Sequence, residues 1–402
     1  MKVRPVNFNS DNVVGAAPEI LAALAAANHG AAASYGEDPL TARLEARFRD
    51  LFEHDVAVFP VATGTAANAL CLAACVPPWG VTYCHREAHI ACDECGAPEF
   101  YSGGAKLALL DGAHAKLAPK TLAEALASGG AGVVHHAQPA AVSLSQATEC
   151  GAVYQPAELA ALAEIAHAHR CKLHVDGARF ANALVTLGCS PAEASWRAGV
   201  DLLSFGATKN GALAAEAILV FDPALAATIG YRRKRAGHLF SKMRFLSAQL
   251  DAYLDDDLWL RNARHANAMA SRMAAGLSAL DNLGIALVHP VEANELFVRL
   301  PEPVRHGLAE DGFLFHGWGP PPDRVARLVT AWSTEPADVD KLIARAAHHA
   351  GAGGPRGARS GRSRPGQSPI RGNRRAATPS ATPFRHPRES GDPDRRRPRA
   401  RR

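Results

Sequence analysis

His174-Val175-Asp176-Gly177-Ala178-Arg179, followed thirty-three residues after its Asp by the lysine of Leu203-Ser204-Phe205-Gly206-Ala207-Thr208-Lys209-Asn210-Gly211, decides the fold. In the first stretch an acid directly after an apolar strand, followed by Gly and then Arg, places Asp176 at the carboxyl end of a sheet strand. That is where open α/β sheets bind ligands. In the second stretch a lysine follows a strand among small residues that leave room for a bulky group.

Outward from this pair, helical and strand patterns alternate from about Ala17 to Asp222, the signature of an α/β fold with a largely parallel sheet. Apolar helical patterns cover Ala17–Asn28, Leu40–Phe52, Ala66–Cys75 and Pro156–His169. Strand-like runs lie at Asp55–Phe59, Val81–Cys84, Lys106–Leu110, Gly132–His136, Lys172–Val175, Asp201–Phe205 and Ala217–Phe221. Two long helical patterns follow, Ser241–Leu254 and Leu258–Leu280. Beyond them comes a smaller α+β segment with strands near Ala286–Val288, Leu296–Leu300 and Arg327–Ala331 and a last helix at Ala337–His349. The expected units are an N-terminal segment (1–14), a large α/β domain (15–255), a small α+β domain (256–350) and a tail (351–402).

An Asp and a Lys at two strand ends form the pairing that pyridoxal phosphate (PLP) requires. The Asp keeps the pyridine nitrogen protonated so that the ring can act as an electron sink, and the Lys forms the imine. Each residue alone has an ordinary reading, the Asp as a helix cap and the Lys as a solvated loop residue. Pro60-Val61-Ala62-Thr63-Gly64-Thr65-Ala66-Ala67-Asn68 adds a third element. A Thr-Gly-Thr turn between a strand and a helix supplies backbone N–H groups, hydroxyls and the positive end of the helix dipole, which suits a phosphate. It is neither a Walker loop nor a Gly-x-Gly-x-x-Gly loop.

Ser10-Asp11-Asn12, Tyr35-Gly36-Glu37-Asp38-Pro39, Thr63-Gly64-Thr65, His89, His174–Arg179, Lys209 and Arg327-Leu328-Val329-Thr330 stand in an order that resembles the low-specificity L-threonine aldolases. These belong to the β-eliminating-lyase branch of the type I, aminotransferase-like PLP fold. The resemblance covers about Val6 to Ala347. It implies a mostly parallel seven-stranded sheet between helices, with a smaller C-terminal domain. It also implies that Lys209 carries PLP, Asp176 holds the pyridine nitrogen, Arg179 lies beside the ring's 3-oxygen, and Gly64 and Thr65 hold the phosphate. His89 would stack on the ring, while Ser10 and Arg327 take the substrate carboxylate. Tyr35 and either Lys234 or Arg235 would act from a neighbouring subunit, so a homodimer or homotetramer is implied. The implied reaction is reversible cleavage of an L-β-hydroxy-α-amino acid, threonine by default, to glycine and an aldehyde.

One departure bears on the chemistry. Many of these aldolases carry Thr-His-Asn-Gly where this chain reads Ala147-Thr148-Glu149-Cys150-Gly151, so Glu149 stands in place of a second imidazole and joins the candidate bases. His85-x-x-x-His89-x-x-Cys92-x-x-Cys95 holds enough ligand types for zinc, but the resemblance needs His89 free, and no metal is expected. Two rivals stay open: another PLP chemistry (β-elimination or transamination), and a non-catalytic binding protein on the same fold.

The bulk properties set the frame. At 48% hydrophobic and 21% charged the chain is a globular protein, and its 402 residues can bury a sizeable core. It has no apolar run of about 18 residues, which argues against a membrane span. Met1–Asn7 lacks the apolar stretch of a signal peptide, so a cytoplasmic location is expected. The net charge of +5 is a composite. From Gly351 on there are fifteen Arg and three acids, about +12, which leaves the body near −7. That tail is expected to be disordered, and it has no interleaved aromatic motif for specific nucleic-acid binding. The eight cysteines follow no disulfide spacing and are expected to be reduced.

Overall fold

A computed structural model describes residues 5–319 and 325–352. Seven strands form the main sheet: β1 (Ala57–Val61), β2 (Gly80–His85), β3 (Lys106–Leu110), β4 (Gln138–Ser145), β5 (Lys172–Gly177), β6 (Leu202–Gly206) and β7 (Glu216–Val220). Their order is β1-β7-β6-β5-β4-β2-β3. All neighbours are parallel except β7, which runs antiparallel to both β1 and β6. The exception has a simple cause. Only residues 207–215 separate β6 from β7, too short a span for the crossover that a parallel partner requires. Strands β2, β6 and β7 are buried at every position, as expected where helices cover both faces.

The core is anchored next to the Lys209 turn. The Pro39–Phe52 helix, capped by Asp38 accepting from the Thr41 N–H, turns Leu44, Phe48 and Phe52 inward at fourfold spacing. Phe48 meets Phe205 of β6 edge to face at 5.2 Å, and Phe52, Phe180, Tyr253 and Trp259 complete the cluster. Phe205 is fully buried, so truncating it to Ala would cost about 3–5 kcal/mol. At Gly206 and Gly177 the strands run so close that a side chain cannot fit. A Cβ on Gly206 would lie 2.6 Å from the Ala178 carbonyl oxygen, and one on Gly177 would lie 2.7 Å from that of Ser204.

A second core joins the 21-residue helix Leu258–Ser278, the helices Glu302–Glu310 and Pro336–Ala352, and a small antiparallel sheet. That sheet contains Ala286–Leu287, Glu295–Arg299, His316–Trp318 and Val325–Val329. Phe8 of the N-terminal segment is buried in this core, and Val6 pairs with Phe313.

Most expected elements are present, with two corrections. Gly132–His136 is not a strand: Gly130 and Gly132 take positive φ and Val134 is 96% exposed. The strand is the next segment, Gln138–Ser145, whose small and polar residues hide its character. The last helix also runs to Ala352, past the expected start of the tail, and the rest of that tail lies outside the described residues. The helices Phe180–Leu187 and Pro223–Arg235 were not anticipated. Among the described residues no helix is long and apolar enough to cross a membrane.

Candidate active site

Strands β4, β5 and β6 end side by side, with Ser145 opposite Asp176 and Asp176 opposite Ser204. The Thr-Gly-Thr turn follows β1, and Thr63 caps the Gly64–Cys75 helix by accepting from the Ala66 N–H at 3.1 Å. The first N–H groups of that helix have no partner within it. These ends surround a cavity lined by Asn12, Thr63, Gly64, Thr65, His89, Ser145, Glu149, Asp176, Arg179, Thr208, Lys209 and Glu216, with several alanines. Of the residues expected from sequence, Lys209, Asp176, Arg179, Gly64, Thr65, His89 and Glu149 share this cavity.

Asp176 is buried and held by neutral donors: Asn68 Nδ2 donates to one oxygen at 2.8 Å and the Ala178 N–H to the other at 3.0 Å. Asn68 Nδ2 also donates to Glu94 at 2.8 Å, and Glu94 Oε1 lies 2.8 Å from His89 Nδ1. That contact raises the His89 pKa above its usual value, while burial raises that of Glu94. His174, one turn of the pleat below Asp176, bridges Ser143 and Ser204 at 2.9 and 3.0 Å. Burial depresses its pKa to about 4, so it links three strands as a neutral ring.

Glu149 has a different environment. One oxygen accepts from Ser145 Oγ at 2.7 Å and from the His89 backbone N–H at 2.8 Å. The other is buried and has no partner among the described residues. Burial first, and then the charge of Asp176, lift this carboxyl to about 7 against the pull of those hydrogen bonds.

Arg179 is buried and fully engaged. Its Nε and Nη2 donate to Asp11 at 2.7 and 3.0 Å, and Nη1 lies 2.7 Å from Glu295. Burial alone would favour losing the proton, but the Asp11 and Glu295 carboxylates more than offset it and the pKa is raised. Glu295 also takes Arg327, whose Nε donates to it at 3.0 Å; Arg327 Nη1 reaches the Asn9 carbonyl at 3.4 Å. Arg327 therefore stands two contacts behind the cavity wall, through Glu295 and then Arg179. Ser10 is off the wall too, its hydroxyl accepting from the Asn12 N–H as a cap. Tyr35 and Lys234 meet in a separate exposed cleft, the ammonium 4.3 Å from the ring centroid, and Arg235 lines another groove. Of the zinc-type residues, His85 contacts the Gly112 carbonyl and Cys92 that of Arg86.

Sequence reasoning gave no role to Asp11 and Asn12, although both stand in the Ser10-Asp11-Asn12 motif, nor to Asn68, Glu94, Glu295 and Glu216. Two of the last four also left a signal: Asn68 is the lone amide in the run Ala66–Cys75, and Glu216 is an acid opening the apolar run of β7.

Comparison with known proteins identifies the family. The family described as beta-eliminating lyase matches residues 7–303. A low specificity L-threonine aldolase from Pseudomonas aeruginosa is 46% identical over 338 residues, covering 83% of this chain and 95% of that one. The solved threonine aldolase of Leishmania major aligns with a TM-score of 0.80 at 28% identity, over 86% of this chain and all of that one. An aspartate aminotransferase from Rhodobacter sphaeroides, 16% identical with a TM-score of 0.63 over 88% of this chain and 94% of its own, shares the fold. On the sheet order, the match to the family and the identity over most of both chains, this protein has the type I, aminotransferase-like fold and belongs to the β-eliminating lyase family, in its low-specificity L-threonine aldolase branch.

Proposed function

We propose that the protein is a PLP-dependent aldolase that cleaves L-threonine, L-allo-threonine or related L-β-hydroxy-α-amino acids to glycine and an aldehyde. The observation that carries this reading is the convergence on one cavity of Lys209, Asp176, the Thr63–Thr65 turn and a Glu149 oxygen left unpaired. These residues fit the cofactor: an amine to attach it, a buried carboxylate for the ring nitrogen and a helix N-terminus for the phosphate. When bound, PLP supplies a sink for the electron pair left at Cα.

The chain's own residues do the rest. Glu149 accepts the β-hydroxyl proton as the Cα–Cβ bond breaks, the aldehyde leaves, and a proton returned to Cα gives glycine. Burial lifts its carboxyl to about 7, into the range where a histidine titrates, so the acid can serve where many relatives have an imidazole. His89, fixed by Glu94, would hold one face of the cofactor ring. Asp176 would hold the ring nitrogen and keep it protonated. Arg179, with Ser10 and Arg327 behind it, receives the substrate carboxylate.

Tyr35, Lys234 and Arg235 lie away from their own chain's cavity, which supports a role toward a second copy in a homodimer or homotetramer. The two cores support a division into a large domain at 15–255 and a small one at 256–350, with 1–14 as a lead-in segment. A cytoplasmic location accords with the lack, among the described residues, of a membrane-crossing helix.

Product analysis with L-threonine tests the reading. Equimolar glycine and acetaldehyde are expected. Ammonia with a 2-oxo acid would instead assign β-elimination, and amino transfer to an added 2-oxo acid would assign an aminotransferase.

A further inference from the structure

Three carboxyls stand on the cavity wall among the described residues, and the aldolase reading gives work to two of them, Asp176 and Glu149. The third is Glu216. It opens β7, in register with Val61 of β1 on one side and Gly206 of β6 on the other. Val61 leads into Thr63-Gly64-Thr65, and Gly206 into Ala207-Thr208-Lys209. The Glu216 side chain is 7% exposed, and its Oε2 accepts from the Ala207 N–H at 3.1 Å. A buried acid is therefore built into the phosphate end of the site.

An ionised carboxylate there opposes the binding of a phosphate ester, which carries nearly two negative charges at neutral pH. The charged and titratable groups around it do not remove the conflict. Across the cavity stand Asp176, Glu149, Arg179 and His89. Tyr253, whose hydroxyl accepts from Asn210, is buried and pushed further up by the charge of Glu216. Behind β1, Arg233 donates to the Pro60 carbonyl at 3.2 Å, and His238 Nδ1 accepts from the Ala62 N–H at 3.4 Å. Lys209 is the cation whose charge favours ionised Glu216, and cofactor attachment uses that amine. Burial already holds the carboxyl at about 7 with Lys209 free, despite hydrogen bonds from Thr208 and the Ala207 N–H.

We propose that Glu216 couples anion binding to proton uptake: the Thr63–Thr65 cradle holds a phosphate ester with the Glu216 carboxyl protonated, so the phosphate's hold on the protein weakens as pH rises. Protonation removes the repulsion and adds an O–H donor, while the carbonyl oxygen can keep the Ala207 bond. The inference rests on assigning the cradle to the PLP phosphate.

Pyridoxal 5′-phosphate and pyridoxal differ only in that phosphate, so the ratio of their dissociation constants isolates its contribution. We would measure the ratio for the full chain between pH 7 and 9, where the ester is already a dianion. The wild-type advantage of the phosphate should fall by about tenfold or more over that range, while Glu216→Gln, which keeps an oxygen for the Ala207 N–H, should hold it within about twofold. A flat wild-type ratio overturns the proposal whether or not the variant folds. A Glu216→Gln ratio that falls as steeply as wild type overturns it too. If PLP binds no tighter than pyridoxal at any pH, the cradle assignment fails and takes the proposal with it; tight PLP binding with a flat ratio removes only the role of Glu216.

Discussion

On the sheet side of the cavity Asp176 is held by an amide and a backbone N–H, whereas toward the N-terminal segment Arg179 and Arg327 are held by the full charges of Asp11 and Glu295. The two regions use buried charge differently. Neutral donors fix Asp176 without bringing an opposite full charge against it. The arginine cluster balances two cations against two acids inside the protein. It is stable without substrate, and an incoming carboxylate has to share donors already in use. An acid fixed by neutral donors and arginines already paired with acids should therefore respond differently to mutation.

Glu149 belongs to the first region, and the largest effect is expected there. Glu149→Gln preserves shape and the Ser145 contact but cannot take a proton, so kcat should fall about 10²–10⁴-fold. The working form of the base is ionised, so the wild-type rate should rise with pH through about 7 and then level off. The Gln variant should lose that limb. A variant retaining both its rate and its rising limb would move the base to another group, with His89 the next to test.

Arg327 sharpens the other half of the comparison. Arg327→Ala should raise KM for threonine by a factor worth about 2–4 kcal/mol. It should also lower the melting temperature, because Glu295 is fully buried and would keep only Arg179 as a charged partner. A variant with a normal KM and a lowered melting temperature would make Arg327 a purely structural partner of Glu295. The carboxylate would then belong to Arg179 and the Asn12 side of the cavity.

The same contrast explains what could be read from the sequence. Asp176, Lys209 and Thr63–Thr65 were legible because each follows a short apolar strand, and strand ends in a parallel sheet converge. Local pattern therefore implied long-range proximity. Asp11, Glu295 and Arg327 come from three distant segments that meet only in the folded chain. No spacing in the chain announces that Glu295 bridges two arginines. Glu94 and Asn68 were hidden for a related reason, because they act through His89 and Asp176 rather than at the cavity surface. The strand Gln138–Ser145 was displaced to its neighbour because Val133-Val134 looks more strand-like than Pro139-Ala140-Ala141. Backbone glycines at positive φ settled the matter against local propensity.

Every role proposed for the cavity depends on Lys209 carrying the cofactor at the end of β6. Borohydride reduction of the PLP-loaded full chain, followed by peptide mapping by mass spectrometry, tests it directly. A single pyridoxyl adduct on Lys209 is expected, absent from Lys209→Ala. An adduct on a different lysine, or one that survives in Lys209→Ala at full yield, would contradict it.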